Sequence, residues 1–174
     1  LVTAYKGYTH IQCQENRKEE TYVSSFRVVL DFFKDLGHVI TNIITDNESS
    51  ATLRAFFSSP SVSCIVQFAP PNNHRANPAE RYIRTTKNHI IATLASVHIT
   101  FPLDLWSRLI PFIQLTLNHL QPWHHDPSIS AHHGLYGLPF DFRAHPIHPA
   151  GQLCHAHESP LTRPSWGKHS SRAF

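Results

Sequence analysis

The sequence predicts an α/β fold. Short runs rich in β-branched and aromatic residues alternate along the chain with stretches whose apolar residues recur at helical spacing. The strongest strand signal, at residues 39–45, ends at Asp46, and open α/β sheets carry their ligand sites at the carboxyl ends of such strands. With 174 residues and 41% hydrophobic content, the chain is long enough to form one domain around a core.

The first part of the chain predicts a hairpin followed by a helix. Two β-prone runs, at residues 1–5 and 8–13, are separated by Lys6-Gly7, which is typical of a turn between antiparallel strands. Asn16-Arg17-Lys18-Glu19 matches a capping box, so we expect a helix to begin there. Gly37 is a typical residue just beyond a helix end. We expect this helix to cover one face of the sheet.

The middle of the chain predicts two more strands and a loop. The strand at residues 39–45, expected to be buried, is followed by a short helix and by a second strand at residues 62–68. Pro70 and Pro71 are compatible with neither a helix nor a central strand. Residues 72–77 are therefore predicted to form a loop over the ligand site that we expect at the end of the strand at residues 39–45.

The next predicted helix has two distinct faces. Pro78 fits its first turn, where the missing N–H breaks no helical hydrogen bond. Glu80, Arg84 and Lys87 fall within roughly 60° of each other at about 100° per residue, so they share one face. The apolar residues predicted to pack form a separate stripe: Ala79, Ile83, Ile90, Leu94 and Val97.

A second amphipathic helix is predicted to begin near Pro102, and Pro111 should kink or divide it. Its predicted apolar set is Trp106, Leu109, Ile110, Ile113, Leu117 and Leu120. Beyond residue 121 the composition changes, because more than half of the 13 prolines and 15 histidines lie there. We expect a last helix near residues 129–136 and then an extended tail, which divides the chain into residues 1–121 and 122–174.

Two carboxylates stand out among the polar residues. Taken alone, Asp46 is typical of a solvated residue in a turn. Taken alone, Glu80 is typical of the acidic residues that occur in the first turn of a helix. Together they can hold divalent metal ions while nearby cations hold phosphates, as an enzyme acting on a polyphosphate backbone requires. The cations could instead form an ordinary solvated helix face. They are Arg75, Arg81, Arg84 and Lys87.

These motifs resemble the catalytic core of retroelement integrases, the DDE enzymes of retroviruses and LTR retrotransposons. The resemblance spans nearly all of the chain and implies a ribonuclease H-like mixed sheet flanked by helices, with an irregular Pro/His-rich C-terminal extension. The motifs that carry it are Thr45-Asp46-Asn47-Glu48, Pro70-Pro71-Asn72-Asn73-His74-Arg75, Asn77-x-x-Glu80-Arg81 and Arg84-x-x-Lys87-Asn88, followed by Phe101-Pro102-Leu103, Leu117-Asn118, Gly137-x-Pro139 and Ser165-Trp166.

The resemblance implies DNA integration by metal-dependent polynucleotidyl transfer, that is, 3′-end processing and strand transfer within a retrotransposon polyprotein. Asp46 and Glu80 would be catalytic and would bind Mg²⁺ or Mn²⁺. Element ends and target DNA would be the partners of a homo-oligomer that acts in the nucleus. The residues expected to contact DNA are Asn72, Asn73, His74, Arg75, Asn77, Arg81, Arg84 and Lys87.

One departure from the family bears on activity. The family has a third catalytic carboxylate on a strand before the one at residue 1, and no acid precedes Glu15 here. Asp31 and Asp35 lie on the packing helix, too close to Asp46 in sequence to replace it. The chain is therefore expected to be a polyprotein fragment that is inactive alone. The alternative is a non-catalytic remnant that binds nucleic acid or dimerises.

Composition narrows the function classes. The formal net charge of +3 and the pI of about 8.9 permit a nucleic-acid partner. The cysteines, Cys13, Cys64 and Cys154, lie far apart, so neither a disulfide framework nor a CxxC metal site is indicated, and we expect an intracellular, reducing compartment. No apolar run approaches the roughly 20 residues that cross a bilayer, so no membrane association is expected.

The histidine-rich end offers a third class, a metal-binding protein. His145-x-x-His148 and His155-x-His157 flank Cys154. Neither spacing matches an established zinc finger, and Pro146 and Pro149 oppose a helical pair of ligands. Stoichiometric zinc uptake at neutral pH would favour this class over a nucleic-acid enzyme.

Overall fold

The computed structural model describes residues 1–45, 51–60, 62, 64–69, 78–159, 161 and 163–174. Within these ranges helices and strands are mixed, in agreement with the predicted α/β class. In chain order they are β1 (Val2–Tyr5), β2 (Tyr8–Ile11), α1 (Glu19–Asp35), β3 (Asn42–Thr45), α2 (Ala51–Phe57), β4 (Ile65–Phe68), α3 (Pro78–Ser96), a 3₁₀ helix (Leu103–Leu109), α4 (Ile110–Leu120), α5 (Ala131–Tyr136), β5 (Cys154–His157) and β6 (Ser170–Ala173).

The described strands form three separate two-stranded sheets. β1 and β2 are antiparallel, β3 and β4 are parallel, and β5 and β6 are antiparallel. Within the described ranges these sheets do not join into the single mixed sheet of a ribonuclease H-like fold, which therefore stays a prediction. No helix in the described part of the chain is long and apolar enough to cross a membrane.

The β1–β2 hairpin forms where the sequence predicts it. Both turn residues have positive φ, 49° at Lys6 and 99° at Gly7, which is the backbone of the two-residue turns that match strand twist. The register pairs Tyr5 with Tyr8 directly across the turn. Glycine at the second position accepts its positive φ without steric conflict.

The prediction for α1 is confirmed at the end of the helix and is wrong at its beginning. Gly37, at φ 79°, follows the C-terminal end as predicted. The predicted capping box is wrong, because Lys18 is the N-cap residue and its side chain makes no capping hydrogen bond. The Asn16 side chain instead accepts hydrogen bonds from the Lys18 N–H at 2.9 Å and the Thr21 hydroxyl at 2.7 Å. Asn16 thus closes a local turn ahead of the helix.

Three apolar clusters hold the described elements together, and α1 contributes to two of them. Val29 and Phe33 pack with the β1–β2 hairpin, and Phe26 packs with α2 and the β3–β4 pair, so α1 covers both sheets. Cluster 1 contains Tyr8, Val29, Phe33, Trp123, Ala131 and Leu135. Cluster 2 contains Phe101, Leu109, Ile110 and Ile113, and cluster 3 contains Phe26, Leu53 and Phe57.

β3 is not the buried strand that its β-branched run predicts. Ile43 packs against cluster 3, but Ile44 is 50% exposed and Asn42 is exposed. Successive side chains of a strand point to opposite faces. In the described part of the chain only the face of Ile43 is covered, which is the pattern of a strand with one solvated face rather than a central parallel strand.

The outer edge of β2 is closed by amide side chains from α4. Asn118, fully buried, accepts the Thr9 N–H through Oδ1 at 2.7 Å and donates through Nδ2 to the Thr9 carbonyl at 2.8 Å. Gln114 accepts the Ile11 N–H through Oε1 at 2.6 Å. These bonds satisfy strand groups that a free edge would expose, and they fix α4 along β2.

Pro111 divides the segment after Pro102, as predicted. A 3₁₀ helix precedes α4, and Pro111 lies in the first turn of α4, where no helical hydrogen bond needs its N–H. Two residues of the predicted apolar set are nevertheless exposed, Trp106 by 46% and Leu120 by 74%. A 3₁₀ helix has 3.0 residues per turn, so it turns residues such as Trp106 away from the face predicted at 3.6 per turn.

The C-terminal part is less irregular than its composition predicts. α5 lies within the predicted range, and Ser130 caps it by accepting the His133 N–H at 3.1 Å. β5 and β6 then form a hairpin, and the Phe174 ring lies 5.7 Å from that of Phe101 in cluster 2. The predicted division at residue 121 stays a prediction, and side chains from both sides of it meet in cluster 1.

Candidate nucleic-acid interface

α3 begins at Pro78 as predicted and presents one packed face. Tyr82, Thr86 and Thr93 are buried on this face. Ile90, Leu94 and Val97 pack against cluster 2. Ile83, assigned to the packing stripe from sequence, is 48% exposed, so that part of the prediction is wrong. In the first turns it is Tyr82 that is buried, and α3 also lies against β1.

The opposite face of α3 carries the predicted charged residues. Glu80, Arg81, Arg84 and Lys87 are all exposed. Three cations therefore surround one carboxylate within two turns of helix. Exposed arginine and lysine side chains can reach the phosphates of a nucleic acid, and such contacts position a protein without reading sequence.

The three cations differ in their surroundings. The Arg81 guanidinium lies 5.6 Å from the ring centroid of Tyr82, a distance at which a cation is attracted to an aromatic face. The Arg81 carbonyl also accepts the Thr85 hydroxyl at 3.0 Å. The side chains of Arg84 and Lys87 make no hydrogen bond or ion pair with the part of the chain that the structure describes. Their charges are thus available to a ligand.

The other predicted carboxylate, Asp46, directly follows β3 in the sequence. The Ala69 N–H donates to the Thr45 carbonyl at 2.9 Å, so the two strands end at the same edge. Asp46 itself lies outside the described residues. The same holds for the predicted loop residues Asn72, Asn73, His74, Arg75 and Asn77. Their roles stay predictions.

The metal prediction is similarly open. Of the two expected ligands of Mg²⁺ or Mn²⁺, Glu80 lies in the described part of the chain, as an exposed first-turn carboxylate. Such an oxygen donor suits a hard divalent ion. Among the described residues, the histidine-rich end included, no three His, Cys, Asp or Glu side chains form a group that could hold a metal ion.

Two polar contacts behind the interface were missed from sequence. The Tyr82 hydroxyl lies 3.0 Å from His124 Nε2, and His89 Nε2 lies 2.8 Å from the Thr116 hydroxyl. Burial lowers the pKa of His89, which favours its neutral form. The sequence contains a signal for polar contacts on this face. Residues with a polar group at the end of the side chain recur in α3 at spacings of four, three and four: Tyr82, Thr86, His89 and Thr93.

Comparison with known proteins gave a structural likeness. No family model and no curated protein matches the chain. The chain is similar to one in the cryo-EM structure of the simian T-cell lymphotropic virus intasome in complex with PP2A regulatory subunit B56 gamma, with a TM-score of 0.53 and 18% sequence identity. The match covers 98% of this chain and 61% of the other, so this chain spans about six-tenths of that chain's length. At this identity the likeness concerns the fold.

Proposed function

We propose that this protein is related to retroelement integrases and takes part in DNA integration by polynucleotidyl transfer. One observation carries the proposal. The charged residues that the integrase resemblance assigns to the site, Glu80 with Arg81, Arg84 and Lys87, share the exposed face of α3. The fold likeness to a chain of a retroviral intasome structure supports it.

In this proposal, the exposed cations hold DNA and the carboxylates hold metal. Arg84 and Lys87 bind phosphates of the element end or the target, and the other residues expected to contact DNA are Asn72, Asn73, His74, Arg75 and Asn77. Asp46 and Glu80 hold Mg²⁺ or Mn²⁺, which when bound activates a water or a 3′-hydroxyl and stabilises the leaving oxygen. The reaction would take place in the nucleus and within a homo-oligomer.

A second candidate is a non-catalytic nucleic-acid-binding remnant. It needs only the cations Arg81, Arg84 and Lys87, which are exposed on α3, and no bound metal ion. Both candidates use the same phosphate-binding face, so DNA binding tests what they share. Strand transfer on oligonucleotide DNA with Mn²⁺ would exclude the second candidate, whereas its absence, which we expect from this chain alone, would fit both.

The test of the shared function is the salt dependence of binding to duplex DNA, followed by fluorescence anisotropy. Each lost phosphate contact should lower the slope of log K against log [salt] by about 0.9. Arg84→Ala and Lys87→Ala should each show that loss for duplexes of any sequence. Lys34→Ala, which removes an exposed cation from α1, is the matched control and should keep the full slope. Equal slopes for all four proteins would refute the proposed face.

A further inference from the structure

The buried side of α3 is attached to the rest of the chain through Tyr82. Its ring is only 7% exposed, and its hydroxyl lies 3.0 Å from His124 Nε2. When the neutral imidazole carries its proton on Nδ1, the hydroxyl donates and Nε2 accepts. Tyr82 is next in sequence to Arg81 and two residues, about half a turn of helix, from both Glu80 and Arg84. The hydrogen bond therefore lies directly behind the charged face.

His124 is a well-fixed partner for this bond. Its N–H donates to the Lys6 carbonyl at 3.0 Å, in the β1–β2 turn. The ring lies against that turn, since a Cβ added to Gly7 would stand 3.1 Å from His124 Cδ2. The preceding residue, Trp123, is buried in cluster 1, and its N–H donates to the Ile129 carbonyl at 3.0 Å. His124 is an exposed residue, like His125, but its backbone and ring are thus tied to the hairpin, and its neighbour Trp123 is tied to the core.

The contacts of α3 with the apolar clusters lie further along the helix. In the described part of the chain, the three apolar clusters take no residue from α3 before Ile90. Leu94 and Val97 also belong to that later portion. The charged residues precede it by one to three turns. The buried residues of the first half are Tyr82 and Thr86. The beginning of a helix can fray or tilt where such contacts are lost, because terminal turns lack part of their hydrogen bonds.

Building on the proposed function, we propose that His124 is a positioning residue for the DNA-binding face. Through the hydroxyl of Tyr82 it fixes the first turns of α3 and so the directions in which Glu80, Arg81 and Arg84 project. It touches neither DNA nor metal itself. The proposal explains why a polar contact lies behind the charged face and not an apolar one, since a hydrogen bond fixes orientation as well as distance.

Amide hydrogen exchange tests the attachment directly. Tyr82→Phe and His124→Ala should each accelerate exchange in residues 82–86 about fivefold, the factor that corresponds to one net hydrogen bond. Exchange in residues 92–96 should stay unchanged. Combining the two substitutions should add nothing to either one, because both remove the same bond. Unchanged exchange in residues 82–86 would overturn the proposal.

DNA binding then separates positioning from simple attachment. His124→Ala should lower the slope of log K against log [salt] by about 0.9, as for one lost phosphate contact. His124→Gln, whose side-chain oxygen can accept the Tyr82 hydroxyl, should restore it. His125→Ala, in the adjacent exposed histidine, is the matched control and should have no effect.

The outcomes distinguish this proposal from the one it rests on. Faster exchange with an unchanged DNA slope would show a structural bond only and would refute positioning. If the parent protein bound no DNA, the proposed function would fail and the positioning role with it. The exchange result would still show whether His124 holds α3.

Discussion

Asn118 closes the outer edge of β2, and its replacement should destabilise the protein strongly. Both Asn118 and Thr9 are fully buried. Asn118→Leu keeps the number and branching of the side-chain heavy atoms but leaves the N–H and carbonyl of Thr9 without partners. A buried polar group left unpaired costs about 1–3 kcal/mol. Leucine favours a helix over asparagine by a few tenths of a kcal/mol, so we expect a net loss of about 2–5 kcal/mol.

Urea unfolding followed by far-UV circular dichroism measures this loss. With an m-value of about 2 kcal/mol/M, a destabilisation of about 3 kcal/mol lowers the midpoint by about 1.5 M. Asn88→Leu is the matched control, since Asn88 is exposed on α3 and its replacement should change stability by no more than about 0.5 kcal/mol. If both variants unfolded at the midpoint of the parent, the edge bonds of Asn118 would contribute nothing and the reasoning would fail.

Three further predictions concern packing, pH and metal. Gly134→Ala should destabilise by about 1–3 kcal/mol in the same urea assay, because the new Cβ would lie 2.2 Å from the Trp123 ring; parent-like stability would contradict it. Burial lowers the pKa of His132 from 6.5 to about 4, so the stability it contributes is complete above pH 6.5 and is lost as the pH falls to about 4. The full shift corresponds to about 3 kcal/mol, which partial solvent exposure reduces to about 1–2 kcal/mol, and His132→Phe should remove this pH dependence. Finally, millimolar Mn²⁺ should raise the melting temperature, and Asp46→Asn and Glu80→Gln should each abolish the rise; two independent half-losses would place these carboxylates in separate sites.

Glycine and proline, whose backbones are intrinsically unusual, predicted turns and helix ends reliably. Gly7 and Gly37 adopt positive φ where turns were predicted, and Pro78 and Pro111 lie in first turns of helices. These constraints act within a few residues and need no knowledge of packing. The turn of the hairpin, the end of α1 and the beginnings of α3 and α4 could be predicted for this reason.

Predictions that depend on which of several partners a residue contacts failed. Asn16 had two local options, a capping box or a turn of its own, and the sequence does not rank them. Ile44 and Ile83 are apolar, but whether they are covered depends on what lies across the sheet or helix. Periodicity identifies a face and not its neighbours. Burial was therefore predicted less well than element type.

The candidate site likewise has one part that the sequence predicts and one part that it does not. That Glu80, Arg84 and Lys87 share a face follows from helical geometry alone, whereas the exposure of that face is seen only in the structure. The side chain behind that face comes from His124, 42 residues beyond Tyr82 in the chain. No local pattern links two residues at that separation. The partner of Tyr82 could therefore be found only from the folded structure.

The contacts behind α3 also bear on how a helix surface keeps its direction. Rotating a helix by one residue turns every side chain through about 100°, which would carry Arg84 and Lys87 away from a ligand. Apolar packing against cluster 2 is non-directional and tolerates small rotations. Hydrogen bonds from Tyr82 to His124 and from His89 to Thr116 do not, since they require both distance and angle. The polar residues on the packed face thus specify where the charged face points, and apolar substitutes could preserve stability while losing that orientation.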